Sequence, residues 1–73
     1  MALIEVESDV TGTVWKIEAK EGMKVSEGDT LLILESMKME IPVLASDDGL
    51  VKEINVEEEE AVSEGQIVVV LEV

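Results

Sequence analysis

The sequence predicts an all-β domain, a small sandwich or flattened barrel, and three observations predict it. The apolar residues are mostly Val, Ile and Leu, with one aromatic, Trp15, in a chain that is 47% hydrophobic; such residues favour strands. Turn-forming clusters break the chain every few residues. The chain also repeats itself. Shifted by 37 positions, GTVWKIEAKEGMKVSEGDTLLILE (12–35) lies over GLVKEINVEEEEAVSEGQIVVVLE (49–72) without a gap, with ten identities in 24 positions. Two copies of one supersecondary unit follow, related by a pseudo-twofold axis. Neither copy is long enough to bury its own apolar face, so the two pack together.

Each element reads in order. ALIEVE (2–7) makes a leading strand. TVWKIEA (13–19) alternates, with Trp15, Ile17 and Ala19 expected on one face and Lys16 and Glu18 on the other. KEG (20–22) breaks it, Met23 and Val25 resume, and SEGD (26–29) is a tight turn in which Gly28 supplies a positive φ. TLLILE (30–35) and IPVLAS (41–46) are strands, and DDG (47–49) turns into the second copy. There LVKEINV (50–56) is the strand, EEEE (57–60) the break, SEGQ the turn and IVVVLEV (67–73) the last strand.

One stretch resists this reading. LLILESMKMEI is rich in good helix formers, and Pro42 would stop a helix. The repeat overrules propensity, because residues 31–35 correspond to VVVLE (68–72), and successive valines prefer a strand. The chain must then reverse between Glu35 and Ile41. Its tip, Ser36 to Met39, holds no Gly, Asn or Asp, the residues that make two-residue hairpins easy. A turn rule is broken where Lys38 is presented, as happens at functional or strained sites. On pattern alone, an ordinary solvated lysine is the competing reading.

Size and composition narrow the function. With 73 residues the chain makes one domain, 1–73. Such a domain buries about 60% of its unfolded surface and has stability on the order of 5 kcal/mol. It more often carries or docks something than houses a catalytic cleft. Cys and His are absent, which removes disulfides, the commonest general base and the usual zinc ligands. A net charge of −13 repels phosphate backbones, so nucleic acid is not a partner. No apolar run approaches 18 residues, and the N-terminus lacks a basic region with a long apolar core. The expectation is a soluble, cytoplasmic monomer without a membrane partner.

Ser36-Met37-Lys38-Met39, bounded by Glu35 and Glu40 and followed by Ile41-Pro42, resembles the biotin attachment motif of biotinyl domains, whose common form is Ala/Ser-Met-Lys-Met. The resemblance extends over nearly the whole chain and is closest to biotin/lipoyl attachment proteins of biotin carboxyl carrier type. It implies two four-stranded antiparallel sheets, with Met37 and Lys38 as central residues of a hairpin turn, Ser36 opposite Met39 and Glu35 opposite Glu40. The hairpin would be the pseudo-symmetric counterpart of the region holding the chain termini.

The resemblance further implies a non-catalytic carrier in a multi-component biotin-dependent carboxylase. Lys38 would be biotinylated by a biotin protein ligase and would serve a biotin carboxylase and a carboxyltransferase. Met37 and Met39 would make apolar contact with a partner. Carboxylates beside an amine favour its charged form, so Glu35 and Glu40 are read as ligase-recognition handles or solubilising groups, not activators. Lipoate is the second cofactor open to such a domain, although lipoyl domains usually carry Asp-Lys-Ala at the tip. An unmodified β-sheet interaction module is the reading from a different class. Two departures stand out. Gly22 aligns with Glu59 within four successive glutamates, which should repel and loosen that turn. No insertion between Gly12 and Lys38 could clamp the cofactor as a thumb.

Overall fold

The computed structural model describes residues 2–73 and is all-β. Its eight strands are β1 (Leu3–Glu7), β2 (Gly12–Ile17), β3 (Lys24–Val25), β4 (Thr30–Ser36), β5 (Met39–Leu44), β6 (Gly49–Ile54), β7 (Ala61–Val62) and β8 (Ile67–Glu72). They form two four-stranded sheets, β1-β8-β6-β3 and β5-β4-β2-β7, with every pairing antiparallel. The disputed segment Leu31–Glu35 is a strand, as the repeat requires.

The 37-residue shift maps one sheet onto the other strand for strand, β1 onto β5, β2 onto β6, β3 onto β7 and β4 onto β8. Each sheet therefore takes two strands from each half of the chain, β1–β4 and β5–β8. This interleaving explains why half the chain cannot close a core. The floor of the sandwich is built from Val14, Leu31, Leu34 and their counterparts Val51, Val68 and Leu71, all at most 1% exposed.

Irregularities repeat with the copies. Pairing slips at Trp15 in β2 and at Lys52 in β6, and again at Leu31 in β4 and Val68 beside β1. Each slip is a β-bulge, in which two residues oppose one. The bulges in β4 and β8 let Leu31-Leu32 and Val68-Val69 all face inward.

The bulge in β2 corrects one expectation. Val14 and Ile17 face the core, while Trp15 and Lys16 both turn outward, so Trp15 does not share a face with Ile17. The regular strand also stops at Ile17, and Ala19 reaches the core from the following segment, where the N–H groups of Glu18 and Ala19 both donate to Leu31 O.

Gly12 and Gly49 owe their identity to close approach. A Cβ on Gly12 would lie 2.5 Å from the carbonyl oxygen of Glu35, and one on Gly49 would collide with that of Glu72. The glutamate run forms the same turn as its counterpart. Glu60 N–H donates to Glu57 O at 3.1 Å, matching Met23 N–H to Lys20 O at 3.0 Å, and Glu59 adopts the positive φ of 74° that Gly22 takes at 85°. Hydrogen bonds from Glu59 N–H to Val14 O and from Glu57 N–H to the Glu60 carboxylate tie that turn.

Candidate functional site: the β4–β5 hairpin

Strands β4 and β5 meet in a two-residue turn. Glu35 pairs with Glu40 and Ser36 with Met39, which leaves Met37 and Lys38 as the central residues. Their φ angles are 50° and 65°, so both occupy the left-handed region. Positive φ at both central positions is the geometry of a type I′ turn, whose twist matches that of paired strands. Side chains other than Gly, Asn and Asp reach it at a cost of roughly 1–2 kcal/mol per residue. The sheet enforces the turn here against local preference.

The hairpin base is tied to the body. Ser36 Oγ donates to Thr11 O at 3.0 Å, and Thr11 Oγ1 accepts from Glu64 N–H at 3.1 Å. Hairpin, β1–β2 loop and β7–β8 turn are thus joined through one threonine. Sequence reasoning missed this link, which joins residues 25 apart in the chain.

Lys38 is exposed. Among the described residues the only ion pair is Lys16 with Glu18 at 3.5 Å, so Glu35 and Glu40 do not hold the Lys38 amine. These two glutamates sit opposite each other on the outer face of the sheet. Like charges placed so repel. Met37 is 90% exposed and Met39 59%, and neither fills the core. The structure thus gathers Lys38, Met37, Met39, Glu35 and Glu40 on one hairpin. Met39 lies with Ser36 on the face opposite the glutamates, beyond the end of the core.

The arrangement suits presentation of a primary amine to another molecule. It supplies no neighbouring base. A groove of about 360 Å³ between β1 and β5 is lined by Glu5, Glu7, Asp9, Pro42 and Leu44 among others, and by no lysine or arginine. It lies along the strands, away from the tip.

At the other pole Ala2 and Val73 pair as Ser36 and Met39 do. Ala2 N–H donates to Val73 O at 3.0 Å and Val73 N–H to Ala2 O at 2.9 Å. Shifted by 37, Ser36 becomes Val73 and Met39 becomes Ala2, so the hairpin and this pair are symmetric counterparts on a body 36 Å long.

Comparison with known proteins gives the same picture. The family described as "Biotin-requiring enzyme" matches residues 5–71. A biotin/lipoyl attachment protein of Bacillus subtilis is 41% identical over 66 residues, covering 90% of either chain. The pyruvate carboxylase of the same organism is 37% identical over 67 residues, covering 92% of this chain and 6% of the enzyme. In the crystal structure of Kluyveromyces lactis urea carboxylase, a segment superposes with a TM-score of 0.92 and 34% identity, covering 97% of this chain and 6% of that one. The chain thus spans only a small part of these carboxylases and nearly all of the attachment protein. On its fold, its hairpin and these likenesses, the chain belongs to the biotin/lipoyl attachment family, as a small biotinyl carrier domain.

Proposed function

We propose that this chain is a biotin carboxyl carrier in which Lys38 is the attachment residue. The observation that carries the reading is the Met37-Lys38 turn. A two-residue left-handed tip, closed by the Ser36–Met39 pair, holds one amine clear of the sheet and free of any carboxylate partner.

The amine attacks the carbonyl of an activated biotin, an acyl-adenylate; the amide C–N bond forms, the C–O bond to AMP breaks, and the amine's proton leaves. A lysine amine in water is almost wholly protonated at neutral pH. The chain offers no base, so the biotin protein ligase supplies one, together with a desolvated site. The exposed thioethers of Met37 and Met39 suit apolar contact with that enzyme, being long and adaptable. Glu35 and Glu40 give it charges to recognise.

Biotin, once bound, supplies a ureido nitrogen that can carry a carboxyl group. The chain contributes no catalytic group to that chemistry. It keeps the attachment point on a rigid base and so raises the effective concentration of the carrier near two successive sites. Those sites belong to a biotin carboxylase and a carboxyltransferase, the partners of a multi-component carboxylase. A cytoplasmic monomer suits this role.

Intact mass after incubation with biotin, ATP and a biotin protein ligase tests the reading. One biotin on the wild type and none on Lys38→Arg is the expected result. A wild-type chain left unmodified, or a Lys38→Arg chain that still gains biotin, overturns it. A lipoate mass gained in place of biotin reassigns the cofactor.

A further inference from the structure

The two outer faces of this pseudo-symmetric body place their apolar residues differently. On the sheet that carries the hairpin, Trp15, Ile33, Pro42 and Leu44 lie on the outer side of β2, β4 and β5. The shift of 37 takes these to Lys52, Val70, Glu5 and Glu7. Three of these four positions are thus charged in the twin, whose exposed apolar residues, Leu3 and Leu50, stand instead where the hairpin sheet carries Glu40 and Thr13. Trp15, the chain's only aromatic residue, is 49% exposed, and Leu44 is 46% exposed. A bulge turns Trp15 outward, and bulges commonly re-aim side chains next to functional sites. Trp is also, with Tyr and Arg, among the residue types enriched at binding anchors.

We propose that this face, Trp15 with Ile33 and Pro42, is the surface on which the ligase that modifies Lys38 docks. The inference rests on the carrier reading above and names the surface by which its first partner recognises it. Reach selects the occupant. The Lys38 amine stands only about 6 Å from its own Cα, five bonds of roughly 1.5 Å. An enzyme that acylates it must bring its body against the hairpin. Enzymes that act on the longer biotinyl arm need not approach so closely.

Ile33 and Pro42 form the row four residues below the tip, about 13 Å away at roughly 3.3 Å per residue. An ordinary interface covers about 800 Å² per partner, a disc of roughly 16 Å radius. A ligase seated on the tip and on the sheet it belongs to therefore covers Trp15. Glu35 and Glu40 lie on the same face between the amine and the apolar row. The complementary ligase surface is flat and apolar, with basic groups toward its active site.

The lone tryptophan makes the test direct. Chain labelled with 5-fluorotryptophan has one ¹⁹F resonance, which is read while unlabelled ligase is added without ATP or biotin. Biotinylation kinetics are measured in parallel for wild type and Trp15→Lys. Lysine already occupies the equivalent bulge at Lys52, and circular dichroism with a thermal melt checks the variant's fold. A saturable shift or broadening of the resonance, with KM raised about tenfold and kcat little changed in Trp15→Lys, is expected. Normal biotinylation of both chains with equal KM and an unmoved resonance overturns the docking surface and leaves the carrier reading standing. A resonance that moves with biotin carboxylase or carboxyltransferase but not with ligase also overturns it. If the wild type never gains biotin, the underlying reading falls and the inference falls with it.

Discussion

The backbone N–H of Ile17 donates to the carboxylate of Glu58 at 3.1 Å, across 41 residues of sequence. Its mirror is Ile54 N–H to Glu21 at 3.3 Å. Glu21 and Glu58 are aligned and identical in the two copies, and this is their reason. Each carboxylate reaches into the other copy to satisfy a strand N–H. Glu58→Ala should lower stability by about 0.5–1 kcal/mol, at the low end for a hydrogen bond because the site is exposed. Glu21→Ala should cost a similar amount. Urea unfolding of the two single variants checks both.

Glu59 should be improvable. It holds φ at 74° with a side chain where its counterpart is Gly22, and it sits among three other glutamates. Glu59→Gly removes both the left-handed strain and one repelling charge. A gain of about 1 kcal/mol is expected, seen as a higher urea midpoint with an unchanged slope.

Gly12→Ala should damage the fold. The new Cβ would meet the carbonyl oxygen of Glu35 at 2.5 Å, and a backbone atom cannot swing away as a side-chain end can. A loss of roughly 2 kcal/mol or more is expected, from the strained-backbone class of large effects. Gly49→Ala should behave alike, and thermal melts of the pair compare them.

Met37→Ala should separate folding from recognition. At 90% exposure the side chain buries almost nothing, so the melting curve should move by less than about 0.5 kcal/mol equivalent. The rate of modification by ligase should fall. Loss of stability on the scale of a core truncation, roughly 2 kcal/mol, would instead place Met37 in the packing of the domain.

Added salt should stabilise the chain. Its net charge is −13, with Glu35 facing Glu40 across the hairpin and four glutamates in succession at 57–60. Self-repulsion of this kind is screened over about 10 Å at 0.1 M ionic strength. The melting temperature should rise from low salt to 0.2 M sodium chloride, which calorimetry reads directly.

Much of this architecture is legible in the residues because the duplication is gapless. The shift of 37 assigned Leu31–Glu35 to a strand against helix propensity, and the same shift maps one sheet onto the other. The outward turn of Trp15 was not seen, because simple alternation assumes that no residue is inserted. A signal was present. Val14/Val51 and Ile17/Ile54 are identical and three residues apart, a spacing that two inward positions can have only if a bulge lies between them. The left-handed conformation of Met37 and Lys38 had no local signature, because pairing on either side imposes it. The partners of Glu21 and Glu58 were hidden for a similar reason. Identity marked the positions, but the contacts cross between copies and exist only once the sheets interleave.

The hydrogen-bonded seam between Ala2 and Val73 decides how this domain can be handled. Ala2 and Val73 lie side by side at the pole opposite Lys38. A bead, polymer or fused protein grafted to either one would hang from the blunt end, and the reactive tip would still face open solution.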